Sequence, residues 1–191
     1  MDSLLGIAVG LALSAAAGLR VFVPLLLTGL AARAHWLMLT PSMNWIASDV
    51  ALVAFATATV LEVGAYYVPW LDNLLDALAT PAAIAAGVIT SAAVTPELSP
   101  FLRWALAIVA GGGAAGLVQA GTALLRLKSS TLTAGVANPV VATTELVGSI
   151  ALSLLGLLVP LLAAAIAVIL VAVLLRLVSR FLHERRLAGP V

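Results

Sequence analysis

The chain has 191 residues, 63% hydrophobic and only 9% charged, with a formal net charge of +1 and a mean hydropathy of +1.21. Soluble domains carry about 45–50% apolar residues, so this composition belongs in lipid, and the spans leave no length for a soluble catalytic domain. A charge near zero gives no field to attract nucleic acid, and the lack of cysteine removes disulfides, thiolate ligands and thiol nucleophiles.

Long apolar runs without period-two alternation predict helices, because lipid cannot satisfy open backbone groups. The expected fold class is all-α, a polytopic transmembrane bundle of about six spans forming one domain over residues 1–191. The N-terminal Met1-Asp2-Ser3 lacks the basic start of a cleaved signal, so the first run is expected to be retained. That run, Leu4 to Ala32, is too long for one upright span and contains Arg20 and Pro24, which predicts a tilt, a kink or a break near Gly18-Leu19-Arg20. Arg33 to Asp49, with Trp36 and Trp45, reads as an interfacial loop. The second span is predicted over Ile46 to Val68, a turn at Pro69-Trp70-Leu71-Asp72, and a short amphipathic helix over Asn73 to Thr80. The third span, Pro81 to Val94, is short enough to suggest a re-entrant element, and Pro96 to Pro100 ends it. The fourth covers Phe101 to Leu125, followed by a polar connection from Arg126 to Asn138. The fifth and sixth cover Pro139 to Val159 and Pro160 to Phe181.

Arg176, Arg180, Arg185 and Arg186 put the C-terminus in the cytoplasm by the positive-inside rule, and six spans then put the N-terminus there too. A shift of 106 positions lays Gly6, Gly10, Leu19 and Arg20 over Gly112, Gly116, Leu125 and Arg126. This suggests two inverted three-helix repeats, over 1–95 and 101–185, as in many secondary transporters. The small residues Gly6, Gly10, Ser14 and Gly18, like Gly112 and Gly116, recur every four positions and form ridges suited to close helix packing, including a homodimer contact.

Ionisable groups in lipid cost about 2.5–3.5 kcal/mol each on insertion scales, which singles out Arg20, Glu62, Arg126, Lys128 and Glu145. Glu62 reads either as one half of a structural ion pair or as a proton or ion site. Asn138-Pro139 breaks the chain just before Thr143, Thr144 and Glu145, which suits either a polar cavity or an ordinary helix start. Asp72 and Asp76 stand one helical turn apart, as a cation-binding face or as the start of a helix. His35 and His183 lie far apart in sequence without companion ligands, so no metal or other cofactor is expected, and neither suits a buried catalytic base. No enzymatic activity is expected.

The set Gly18-Leu19-Arg20 with Pro24, Glu62 followed by Pro69-Trp70-Leu71-Asp72 with Asp76 and Pro81, and Ala137-Asn138-Pro139 followed by Glu145 resembles the bacterial membrane family called domain of unknown function 4126. The resemblance extends over most of the chain and implies a polytopic inner-membrane protein without an assigned activity. Members of that family often carry an acidic-basic pair shortly before the proline at 69 and a second acid after the glutamate at 145; here Ala65-Tyr66-Tyr67 and Leu146 stand in those places.

The leading expectation is a small transporter or channel. Arg20, Glu62, Arg126, Asn138 and Glu145 would bind a small solute or ion, with Asp72, Asp76 and Lys128 as secondary candidates. The alternative is a non-transporting scaffold, assembly factor or accessory subunit whose buried charges are permanently paired.

Overall fold

The computed structural model describes residues 3–67, 69–133 and 136–187, with the backbone alone described over 69–77 and 181–187. The regular structure of these residues is helical. In chain order it comprises α1 (Ser3–Ala17), α2 (Phe22–Arg33), a 3-10 segment (Pro41–Ala47), α3 (Asp49–Ala65), α4 (Pro69–Ala93), α5 (Pro100–Leu106), a wide π turn (Ala107–Gly112), α6 (Gly113–Thr133), α7 (Asn138–Leu158) and α8 (Pro160–Leu187).

The first apolar run is broken where its sequence suggested, and its two helices are each too short to meet the length expected of a span. Gly10 of α1 packs on Ser91 of α4 and on Val94 just beyond it, and Ser14 Oγ donates to Gly87 O at 2.8 Å, so α1 runs antiparallel to α4. Thr40, beyond α2, donates through its amide to Ala93 O at 2.8 Å and through Oγ1 to Ala92 O at 2.9 Å. These bonds satisfy the carbonyls of the last turn of α4, at the end of the bundle where α1 began. Residues 3–33 therefore form a helical hairpin with its tip at Gly18 to Val21. α3 then runs antiparallel to α2, with Leu52 against Gly29 and Glu62 against Val21 and Phe22.

Close approach at the tip needs a residue without a side chain. A Cβ on Gly18 would lie 2.4 Å from Ala115 O and 2.6 Å from Val118 Cβ. One crossing further along, Gly87 meets Gly111 in the π turn, and a Cβ on Gly87 would stand 2.6 Å from that of Ala115. Gly10 and Gly18 face α4 and α6, while Gly112 and Gly116 face Ile84 of α4, so these four positions pack within one chain.

The local ends follow from the sequence. Ser48 caps α3 by accepting the amide of Ala51, with Asp49 in the first turn. Pro160 keeps Val159 out of helical geometry, and this one residue separates α7 from α8. Two connections expected from polarity are helical instead. The turn at 69–72 and the separate helix over 73–80 belong to a continuous α4 with Pro81 inside it. The polar stretch after Leu125 continues α6 as far as Thr133, because helices tolerate Lys128, Ser129 and Ser130 once they clear the apolar core.

Among the described residues three helices are long and apolar enough to cross a membrane (Pro100–Thr133, Asn138–Leu158 and Pro160–Arg180), or four if the bent pair Pro41–Ala47 and Asp49–Ala65 counts as one span. Six spans are not confirmed. Large apolar side chains such as Val53, Val60, Leu161 and Ile169 cover the outside, the surface that a lipid solvent favours. Ser149 of α7 bonds Ala16 O at 3.0 Å and Gly156 faces Ala12, so α7 finishes at the end where α1 starts. α8 leaves from there, and so the first and last helices have their free ends at opposite ends of the bundle. Six full crossings would have put them at the same end. The proposed repeat is also not carried into the elements: the shift of 106 lays the break after Gly18 over an unbroken α6.

Candidate functional site

The hairpin tip brings two half-helix ends together. The C-terminal end of α1 carries a partial negative charge and the N-terminal end of α2 a partial positive one. Glu62 of α3 answers the second. Its Oε1 accepts the amide of Val21 at 2.8 Å and its Oε2 that of Phe22 at 3.2 Å, so one carboxylate occupies two N–H groups left open by the break.

Arg20 leaves the tip on the other side. Its Nη2 donates to Ala142 O at 2.7 Å and lies 3.4 Å from Glu145 Oε2. Arg126 of α6 grips the same carboxylate with two nitrogens, Nε to Oε1 at 3.2 Å and Nη2 to Oε2, the two-point geometry that guanidinium favours. Glu145 is thus shared by two arginines. Both guanidiniums also lie over the ring of Tyr66, with Cζ atoms 4.0 and 3.8 Å from its centroid, a contact worth about 2 kcal/mol or more where water is excluded. Arg20, Glu62, Arg126 and Glu145 are all buried, none more than 8% exposed.

Arg20 is the residue with capacity left. Its Nε and Nη1 are buried without a hydrogen-bond acceptor among the described residues. Two guanidiniums and two carboxylates meet here, Glu62 lying close enough to act on both arginines while it accepts the two backbone amides, so what remains is the unused donor capacity of Arg20. The chemistry left over is that of a cationic donor, suited to a small anionic group.

Two apolar grooves flank the cluster. One of about 590 Å³ lies among α6, α7 and α8 and reaches Leu19 and Glu145; the other, about 400 Å³, lies among α2, α3 and α4 and reaches Glu62 and Tyr66.

Four of the five leading candidates therefore converge. Asn138 does not take the place expected for it: its Nδ2 donates to Ser130 Oγ at 2.9 Å, tying the end of α6 to the start of α7, about 10 Å along the helix from Glu145. Lys128 is exposed, two residues and so about 200° around α6 from Arg126. The backbones of Asp72 and Asp76 lie in α4, and their side chains fall outside the described residues. Tyr66 was missed, although its place one helical turn after Glu62 gives both side chains the same face.

No curated protein and no solved structure matches the chain. The model of the family described as Domain of unknown function (DUF4126) matches residues 7–180, and the chain belongs to that family.

Proposed function

We propose that this chain is a small, non-enzymatic transporter of the bacterial cytoplasmic membrane that binds an anionic group at Arg20 in the tip of its helical hairpin. The observation that carries the reading is the buried Arg20 guanidinium with two nitrogens lacking an acceptor among the described residues. Support comes from the setting: broken helices whose ends face ionised groups are a recurrent way to build a transport site in lipid. Glu145, shared by Arg20 and Arg126, would give up one arginine to the solute and keep the other, and a proton on Glu145 would make that exchange easier.

The scaffold reading is favoured by the two-point Arg126–Glu145 pair and by the Glu62 bonds, which hold elements together. One experiment separates the two. The chain is reconstituted in liposomes and assayed with carboxylates, phosphate, sulfate and halides, as wild type, Arg20→Lys, Arg20→Gln and Lys128→Gln. Transport predicts anion flux that falls about tenfold or more in Arg20→Gln, the loss of one charged contact. Arg20→Lys should retain part of it, Lys128→Gln all of it, and each variant should elute as the folded species. Absence of flux for every anion, or flux unchanged in Arg20→Gln, would sink transport and leave the scaffold.

A further inference from the structure

The two carboxylates of the cluster are held by different partners. The oxygens of Glu62 rest on the amides of Val21 and Phe22, the two residues that follow Arg20 in the chain, at 2.8 and 3.2 Å. Glu145 sits in the two-point grip of Arg126, with Arg20 Nη2 at 3.4 Å. An ionised carboxylate accepts both amides, whereas a protonated one turns a hydroxyl toward one of them and gives up that bond. A proton on Glu62 therefore loosens the segment that carries Arg20, and by reciprocity the placement of Arg20 sets how readily Glu62 takes the proton. Glu62 also lies in the wall of the groove of about 400 Å³ among α2, α3 and α4, which gives its carboxylate a route to the outside of the bundle.

Charge balance adds a second constraint. The described charged groups that act on Glu62 are Arg20 at the hairpin tip and Arg126 of α6, with Glu145 of α7 between those two arginines; Tyr66 stands one turn on along α3, and α4 contributes Leu78, Ala79 and Ala82. Two guanidiniums and two carboxylates sum to zero, so an anion arriving at the unused Nε and Nη1 of Arg20 leaves one buried negative charge in excess. Such an excess is costly away from water, and one proton removes it. A proton on Glu145 would free Arg20 but weaken the charged two-point pair with Arg126, whereas a proton on Glu62 gives up one amide bond. We propose that Glu62 takes up one proton with each monovalent anion bound at Arg20, which makes the site proton-coupled. The inference rests on the anion reading of Arg20 and names the ion coupled to it.

Calorimetry on the full chain in zwitterionic nanodiscs, with chloride, nitrate and gluconate in buffers of different ionisation heat, counts the protons taken up on binding. The wild type should take up about one proton per anion and lose affinity by about tenfold per pH unit wherever the unoccupied Glu62 is ionised. Glu62→Gln stays neutral and should bind the same anion without a proton, with an affinity that no longer changes with pH; Lys128→Gln should follow the wild type. Infrared difference spectra locate the proton, and they decide the matter even where Glu62→Gln fails to fold. Anion binding should raise a protonated-carboxyl band that shifts in Glu62→Asp and stays in place in Glu145→Asp. Binding without proton uptake, pH-independent binding in the wild type, or a band that shifts in Glu145→Asp instead would overturn the inference and leave the anion site of Arg20 standing. Binding of none of the three anions would remove that site and the coupled proton with it.

Discussion

The amides of Val21 and Phe22 have no water to turn to inside a bundle, so the carboxylate that accepts both of them carries more weight than a cap at a wet surface. Glutamine at 62 keeps one acceptor and turns an NH2 toward the other amide, whereas alanine leaves both amides open. Glu62→Gln should lose about 1–2 kcal/mol and Glu62→Ala about 3 kcal/mol or more, read as shifts in unfolding by SDS in mixed micelles. Equal losses for the two would show that the bonds to Val21 and Phe22 do not hold the hairpin. This role for Glu62 was only half legible in the sequence. A glutamate in an apolar run announces that it has a partner, and an arginine was the natural choice; that backbone amides take its oxygens depends on a chain reversal that no side-chain pattern encodes. Arg20, Arg126 and Glu145 were legible for a simpler reason, since charge in lipid has few places to go. Asn138 drew attention beside Pro139, yet its bond to Ser130 makes it a tie between helices.

The crossing of α4 with the π turn shows what small residues decide among elements. A Cβ on Gly87 would stand 2.8 Å from Gly111 O and 2.6 Å from the Cβ of Ala115, so Gly87→Ala should cost about 1–3 kcal/mol through overpacking. Adding Ala115→Gly removes one of the two clashes and should restore part of the loss, a coupling that a double-mutant cycle measures directly. Additive effects would mean that the helices separate freely at this point. The ridges themselves were visible in the sequence, but a ridge reports that something approaches and not what. They served here for packing within one chain. Pro24 was similarly ambiguous: in a long run it reads as a kink, and in the structure it stands in the first turn of α2, where a missing amide costs nothing. α6 ran further than expected because polarity after Arg126 marks departure from lipid rather than the end of a helix.

At the scale of the molecule the folded-back hairpin predicts which positions share a side of the membrane. Ser3 at the start of α1 and Trp36 just beyond α2 are exposed at one end of the bundle, and Arg180 near the end of α8 is exposed toward the other. A full crossing by the first run would separate Ser3 from Trp36 and put Ser3 with Arg180. The chain contains no cysteine, so single substitutions Ser3→Cys, Trp36→Cys and Arg180→Cys can be labelled one at a time with a membrane-impermeant thiol reagent on intact and opened cells. Ser3→Cys and Trp36→Cys should label under the same condition and Arg180→Cys under the other. The positive-inside rule applied to the arginines of the C-terminal segment predicts that Arg180→Cys is the position that labels only after opening. Labelling of Ser3→Cys with Arg180→Cys, and of Trp36→Cys apart from them, would mean that α1 and α2 cross the bilayer as one span. The tip would then lose the buried reversal on which the Arg20 site depends.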